Sequence, residues 1–307
     1  MKVPRVKSIT EEKFIEEHIV SNKPVIVTDA MENWDLEKFK PEYIKKEFGH
    51  HKVQVYNDLF DLQTIQPLEK YIDANFFRSE KEGLSKQYMR WYTKLKEVDF
   101  YWSDKAFDSL KNFWSQPYFV PSTSLAVPST KGSDSKSITE YNYPYKGLFI
   151  SGKGSRTRLH KDPFMSNAVL CQFYGQKHFY LYGPDKQKNV MNNGDFVDVK
   201  NPDLNKFPSF SDITHDYEDV LSPGEIILFP SGWFHDVTCV SDSISITWNF
   251  VHAKQLETLC NHIKNNPEDD QLEILKYFIK GEVSDTASAE EIISYFRKKF
   301  AASEMTA

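Results

Sequence analysis

Apolar residues change their spacing along this chain, from short strand-like runs in its middle to helical stripes after residue 252. Near the N-terminus, Ser8-x-x-Glu11 has the pattern of a capping box and precedes Phe14, Ile15 and Ile19, which predicts a first helix. Lys23 to Thr28 reads as a strand, Pro41 to Phe48 as a helix, Lys52 to Tyr56 as a strand and Pro67 to Phe76 as a helix. Asp104 to Trp114 is expected to be helical. The tract from Pro121 to Tyr145, rich in Ser, Pro, Thr and Lys, is expected to be a loop.

The middle of the chain is denser in strands. Ala168 to Tyr174 and His178 to Tyr182 are β-rich runs split by Gly175-Gln176-Lys177, which predicts a hairpin. Leu221 to Glu225 reads as a turn, Ile226 to Pro230 as a buried strand and Ser243 to Phe250 as another. Beyond Phe250, Leu256, Leu259 and Ile263 share one helical face, and Leu272, Leu275, Phe278 and Ile279 share a second. Ser288-x-x-Glu291 caps a third helix carrying Ile292, Ile293, Phe296 and Phe300. These faces either pad the β core or join a second copy, and their size favours a homodimer through the C-terminal helices.

At 307 residues and 35.9 kDa the chain is near the upper limit for one hydrophobic core. One domain over residues 1–252 is therefore expected, with mixed α/β elements over 1–120 and a β core over about 121–252. A helical appendage follows over 253–307. The 44 acidic and 38 basic residues leave a net charge of −6, which argues against a dedicated nucleic-acid binder. The 23 Phe, 16 Tyr and 6 Trp suit a thick β core. No apolar leader or membrane-length run is evident, and Cys171, Cys239 and Cys260 are odd in number and scattered. A soluble cytoplasmic protein, or a nuclear one in a eukaryote, is the expectation, with buried inert thiols.

The chemistry concentrates in His160-Lys161-Asp162 and in Pro230-Ser231-Gly232-Trp233-Phe234-His235. Two imidazoles and one carboxylate on one face of an octahedral ion are the ligand set of an open non-heme Fe(II) site, the opposite face being free for a chelating co-substrate and O2. His-x-Asp alone is weak, because nine histidines generate such pairs by chance. Its position beside a predicted strand, with His235 opening another, strengthens it. His50, His51, His178, His215, His252 and His262 have no partner at metal spacing and are expected to be hydrogen-bonded or exposed. Lys153, Arg156, Arg158 and Lys161 abut the motif, either as a solvated loop or as an attractor of acidic ligands.

Thr157 to Asp162, Gly175-Gln176-Lys177, Val197 to Pro208 and Leu221 to His235 together resemble the JmjC, cupin-like 2-oxoglutarate oxygenases, closest to the small JmjC-only hydroxylases. The resemblance implies a mainly β fold with flanking helices around a double-stranded β-helix, or jelly-roll, core. It also implies Fe(II), with 2-oxoglutarate and O2 as co-substrates. By that likeness His160, Asp162 and His235 are the iron ligands. Lys177 pairs the far carboxylate of 2-oxoglutarate, assisted by Thr157 and by the phenol of Tyr88. Asn167, or Ser166 beside it, and Asn249 are candidates near the metal-bound end of the co-substrate. Strict alternation would put Thr157 and His160 on opposite faces, so the backbone must leave ideal strand geometry between them. An irregular segment is likewise expected between Pro163 and Asn167. The implied reaction is hydroxylation of a protein or peptide side chain. Alternatives are Nε-methyl-lysine demethylation, tRNA-base hydroxylation and a non-catalytic cupin-like binding protein.

Overall fold

The computed structural model describes residues 1–79, 83–92, 109–110, 112–127, 147–279 and 282–301. Most of Asp104 to Trp114 and of Pro121 to Tyr145 lies outside these, but within the described part of the expected loop Leu125–Val127 forms a strand paired with the last core strand. The strands are β1 (Arg5–Val6), β2 (Val25–Val27), β3 (Lys52–Tyr56), β4 (Leu62–Pro67), β5 (Tyr88–Tyr92), β6 (Leu125–Val127), β7 (Gly147–Ser151) and β8 (Arg156–His160). They continue with β9 (Asn167–Tyr174), β10 (Lys177–Tyr182), β11 (Met191–Asn192), β12 (Asp195–Phe196), β13 (Tyr217–Leu221), β14 (Ile226–Phe229), β15 (Phe234–Cys239) and β16 (Ser243–His252).

Two sheets face each other. One is ten-stranded, in the order β1-β2-β14-β9-β16-β7-β5-β3-β4 with β6 beside β16; the other is four-stranded, in the order β13-β10-β15-β8. This is the expected jelly-roll core, and the predicted hairpin is the main correction to it. β9 pairs with β14 and β16, whereas β10 pairs with β13 and β15 in the opposite sheet. Alternation marks both runs as strands but says nothing about their partners. The turn between them carries the chain from sheet to sheet, and Gly175 sits there at φ 67°, where a Cβ would collide with the Asp242 carbonyl.

Helices cover the outer face of the large sheet. Pro41–Phe48 forms as expected, and Leu68–Asn75 starts one residue inside its predicted range. The first helix, Glu11–Phe14, is capped by Thr10 rather than Ser8, with the Thr10 hydroxyl accepting from the Lys13 amide; it continues as a π turn over Ile15–Val20. Ser8 instead hydrogen-bonds Asp29.

Helices Leu256–Asn265, Gln271–Phe278 and Ala289–Ala301 follow β16. Their apolar faces meet one another and the core through Leu259, Ile263, Leu275, Ile292 and Phe296, together with Val251, Val127 and Phe164. Ser288 and Glu291 form the expected capping box, each side chain bonding to the other's backbone amide. Much of the surface that pointed to a twin is thus covered within one chain. All three cysteines are free and buried.

Candidate metal centre between the sheets

Strand register decides which side chains enter the space between the sheets. On the small sheet, Leu181 pairs with His235, Phe179 with Val237 and Lys177 with Cys239, so these six share the inner face. His160 pairs with His235 and Thr157 with Val237. Three residues on β8 therefore span two on β15. That bulge is the departure from alternation that the sequence required, and it turns Thr157 and His160 to the same side.

His160, Asp162 and His235 bring one ligand atom each within 4.8 Å of one another. The His160 and His235 rings lie 4.1 Å apart, and His235 Nε2 is 3.8 Å from Asp162 Oδ2. His160 Nδ1 donates to the Arg158 carbonyl at 2.8 Å and His235 Nδ1 to the Trp233 carbonyl at 3.3 Å. Both rings therefore aim a free Nε2 lone pair at the cluster. Burial, and for His160 the neighbouring His235, pushes the imidazoles down to about 3 for His160 and about 4 for His235. Neutral imidazole is the form that ligates a metal. Burial pushes the Asp162 carboxyl up, opposed by His160 and the Asn249 amide. Phe229 stacks on His235 at 4.4 Å and fixes the ring plane.

The chain after Asp162 is strained. Phe164 and Met165 adopt φ of 42° and 57°, within the segment where irregularity was expected. Each such residue costs roughly 1–3 kcal/mol, so surrounding contacts must hold it. The Phe164 amide donates to Gln271 Oε1 at 2.6 Å, and the Met165 carbonyl accepts from Ser231 Oγ at 2.6 Å. Gln271, which has no sequence signal as a site residue, ties the C-terminal helices to the loop that carries Asp162.

Deeper in, Lys177 is 4% exposed and its ammonium donates to Ser245 Oγ at 2.7 Å. No ion pair reaches it among the described residues, and burial pushes its pKa down. Tyr88, on the facing sheet, has a buried hydroxyl near Thr157 and Arg90 that meets neither in a well-formed hydrogen bond. An uncompensated ammonium and an orphaned phenol in one dry space are unfavourable unless an anion completes them. The residues present thus fit a bound dicarboxylate as well as a metal ion.

The two asparagines separate. Asn249 shares the inner face with Ser245, and its amide donates to Ser166 Oγ at 3.0 Å beside Asp162. Asn167 pairs with Phe250 and points to the outer face. Its amide donates to Gln255 Oε1 at 2.6 Å and its oxygen accepts from the Ser231 amide at 3.1 Å, so it clamps the two ligand loops from the face opposite to Asn249. Of the four basic residues beside the motif the two arginines are paired, Arg156 with Asp236 and Asp198 and Arg158 with Asp58, whereas the Lys161 ammonium meets the neutral Gln187 side chain. His178 binds Glu218 and His252 accepts from the Lys254 amide, as expected of non-ligand histidines. Arg90 was missed. Its guanidinium lies over Phe60 and Phe149 at 5.2 and 5.6 Å and acts on His160 and Asp162 through its charge.

The family profile described as cupin-like domain matches residues 11–256. Among curated proteins, the chain is similar to "Arginine-specific demethylase JMJ20" of Arabidopsis thaliana, 26% identical over 81% of this chain and 57% of that protein. It is similar to "2-oxoglutarate and iron-dependent oxygenase JMJD4" of Gallus gallus, 26% identical over 82% of this chain and 60% of that protein. It is also similar to "JmjC domain-containing protein A" of Dictyostelium discoideum, 24% identical over 79% of this chain and 92% of that protein. The chain thus spans little more than half the length of the first two.

Proposed function

The chain belongs to the cupin-like domain family, in agreement with its resemblance to JmjC proteins, and from that premise we propose an Fe(II)- and 2-oxoglutarate-dependent oxygenase that hydroxylates a protein or peptide side chain. The observation that carries this reading is the buried, unpaired Lys177 on the same inner face as the His160, Asp162 and His235 cluster. A metal site alone would not need that cation. A dicarboxylate co-substrate does.

His160 and His235 would hold iron through Nε2 and Asp162 through its carboxylate. When bound, iron with 2-oxoglutarate and O2 supplies oxidation of an unactivated C–H bond, with succinate and CO2 as the other products. Lys177 pairs one carboxylate of 2-oxoglutarate while Tyr88 and Thr157 offer hydroxyls to it. Phe229 and Val237 keep water from the inner side of the cluster. Asn249 steadies Asp162 in its ionised form.

The demethylase names among the relatives favour a second reading, in which the oxidised carbon is an N-methyl group lost as formaldehyde. Purified chain incubated with Fe(II), 2-oxoglutarate, 18O2 and cell-lysate peptides separates these. Label in a peptide supports hydroxylation, formaldehyde supports demethylation, and label in added tRNA supports the nucleic-acid alternative. Absence of succinate under all conditions would leave a non-catalytic binding protein. No helix among the described residues is long and apolar enough to cross a membrane. A homodimer through the C-terminal helices would use what remains of their surface, around the half-buried Ile293 and Phe300, and light scattering at twice 35.9 kDa is its signature.

A further inference from the structure

We propose that β4 docks an extended segment of the protein substrate as an added strand, its apolar side chains lying on Leu62 and Ile65; this rests on the oxygenase reading. β4 reads Leu-Gln-Thr-Ile-Gln-Pro and ends the ten-stranded sheet. Edge strands are usually blunted by charged side chains, prolines, bulges or a covering element, because their unpaired backbone groups recruit other chains. β4 has its one proline at its last position, Pro67, and one bulge, against β3. β4 carries no charge, no strand pairs with its outer edge among the described residues, and Leu62 and Ile65 are each 49% exposed.

Register shows where these side chains lie. A bulge pairs Tyr56 with Leu62 and Gln54 with Ile65, which puts both apolar residues on the face of Tyr56 and Gln54. That face continues through Tyr88 and Arg90 on β5 to Ser151 and Phe149 on β7, and from there to Ser245, the partner of Lys177. The inner face of the metal pocket and the exposed strip on β4 are therefore one surface, reaching solvent because ten strands extend past the four that cover them.

The turn leading into β4 joins the strip to the metal centre. Phe60 lies edge-on to His160 at 5.0 Å, and Asp58 binds Arg158 on the ligand strand at 2.6 Å. Asn57 Oδ1 accepts from the Leu59 and Asp61 amides at 2.9 and 3.0 Å, so the turn is preformed. A strand added to β4 would have one end at Phe60, beside the ligands. This continuity selects a substrate segment over a second copy of the chain. The partner is an extended peptide with small polar or apolar side chains along the contact.

The test uses the full chain and a synthetic random-sequence peptide library. Hydrogen exchange at the amides of residues 62–66 should slow when the library is added, with or without turnover, and 18O should enter library peptides. Leu62→Glu with Ile65→Glu should abolish the protection and cut labelling at least tenfold with unchanged thermal melting. Leu204→Glu, at an apolar position of similar exposure elsewhere, should change neither. Succinate formation without protection of β4, or equal labelling by the double variant, overturns the docking proposal and leaves the oxygenase standing. Protection of β4 without succinate or label would keep a peptide-binding edge and overturn the oxygenase. Protection that rises with protein concentration alone, with doubled mass in light scattering, assigns the edge to a second copy and overturns the proposal.

Discussion

The space between the sheets has two ends built to opposite rules. One is lined by Ile26, Ala168, Leu170, Phe179, Leu181, Ile227 and Phe229, all buried hydrophobic residues of one cluster. The other holds the buried His235 and Lys177 and the orphaned Tyr88 hydroxyl, with His160 and Asp162 at its mouth. The same strands supply both, and the two meet at His235, which pairs with Leu181 on β10 and is stacked by Phe229, while Lys177 lies four residues before Leu181 on the same face. Stability is expected to reside at the apolar end. Binding is expected at the end whose polar groups are incomplete without a ligand.

The strongest way to break this comparison is a pair of substitutions, one at each end. Asp162→Ala should abolish iron-dependent succinate formation while leaving the melting temperature unchanged or raised, since a buried carboxylate with an elevated pKa disappears. Phe179→Ala should instead cost about 3–5 kcal/mol of stability, read by urea unfolding, because it empties a fully buried ring site. A chelator should likewise strip activity without unfolding the chain. If Asp162→Ala unfolds the protein, the two ends are not separable.

Lys177→Met sharpens the same division with a smaller effect. Loss of a charge-assisted contact of about 1.5–3 kcal/mol should weaken 2-oxoglutarate binding roughly 10- to 100-fold. Without co-substrate the variant should be at least as stable as the parent, because no unpaired ammonium is buried. Isothermal titration and melting with and without 2-oxoglutarate check both, and unchanged affinity would move the anion contact elsewhere. Tyr88→Phe removes one neutral hydroxyl, so a loss of about two- to tenfold is expected in the same titration.

How much of this was legible beforehand depended on the kind of information needed. Pro41–Phe48 and Lys52–Tyr56 follow from local period and ended where the sequence placed them. The ligand cluster was legible because two histidines and an aspartate stand beside predicted strands within a set of motifs that resembles one family, and the β8 bulge because Thr157 and His160 could share a face in no other way. Partnership was not legible. β9 and β10 looked like a hairpin, and only their pairing with β16 and β15 shows that they lie in different sheets and that Asn167 points away from Asn249. β4 was missed because its exposed face gives no clean alternation. Gln271 and Arg90 were missed because they act through tertiary neighbours distant in sequence.

Gln271 gives the smallest predicted effect, and it asks whether the polar end is held from outside the barrel. Its Oε1 accepts from the Phe164 amide two residues after Asp162, where the backbone is in the left-handed region. Gln271→Leu leaves that amide without a partner at a cost of about 1–3 kcal/mol. Part of the loss should appear as relaxation of the loop, weakening Fe(II) or Mn(II) binding a fewfold while co-substrate affinity at Lys177 stays the same. Gln271→Glu keeps an acceptor and should restore metal binding. Metal titration of the three proteins decides it: if the Leu variant loses stability but binds metal as the parent does, the helices merely cover the core. If Glu fails to rescue, the Phe164 amide is not what positions Asp162.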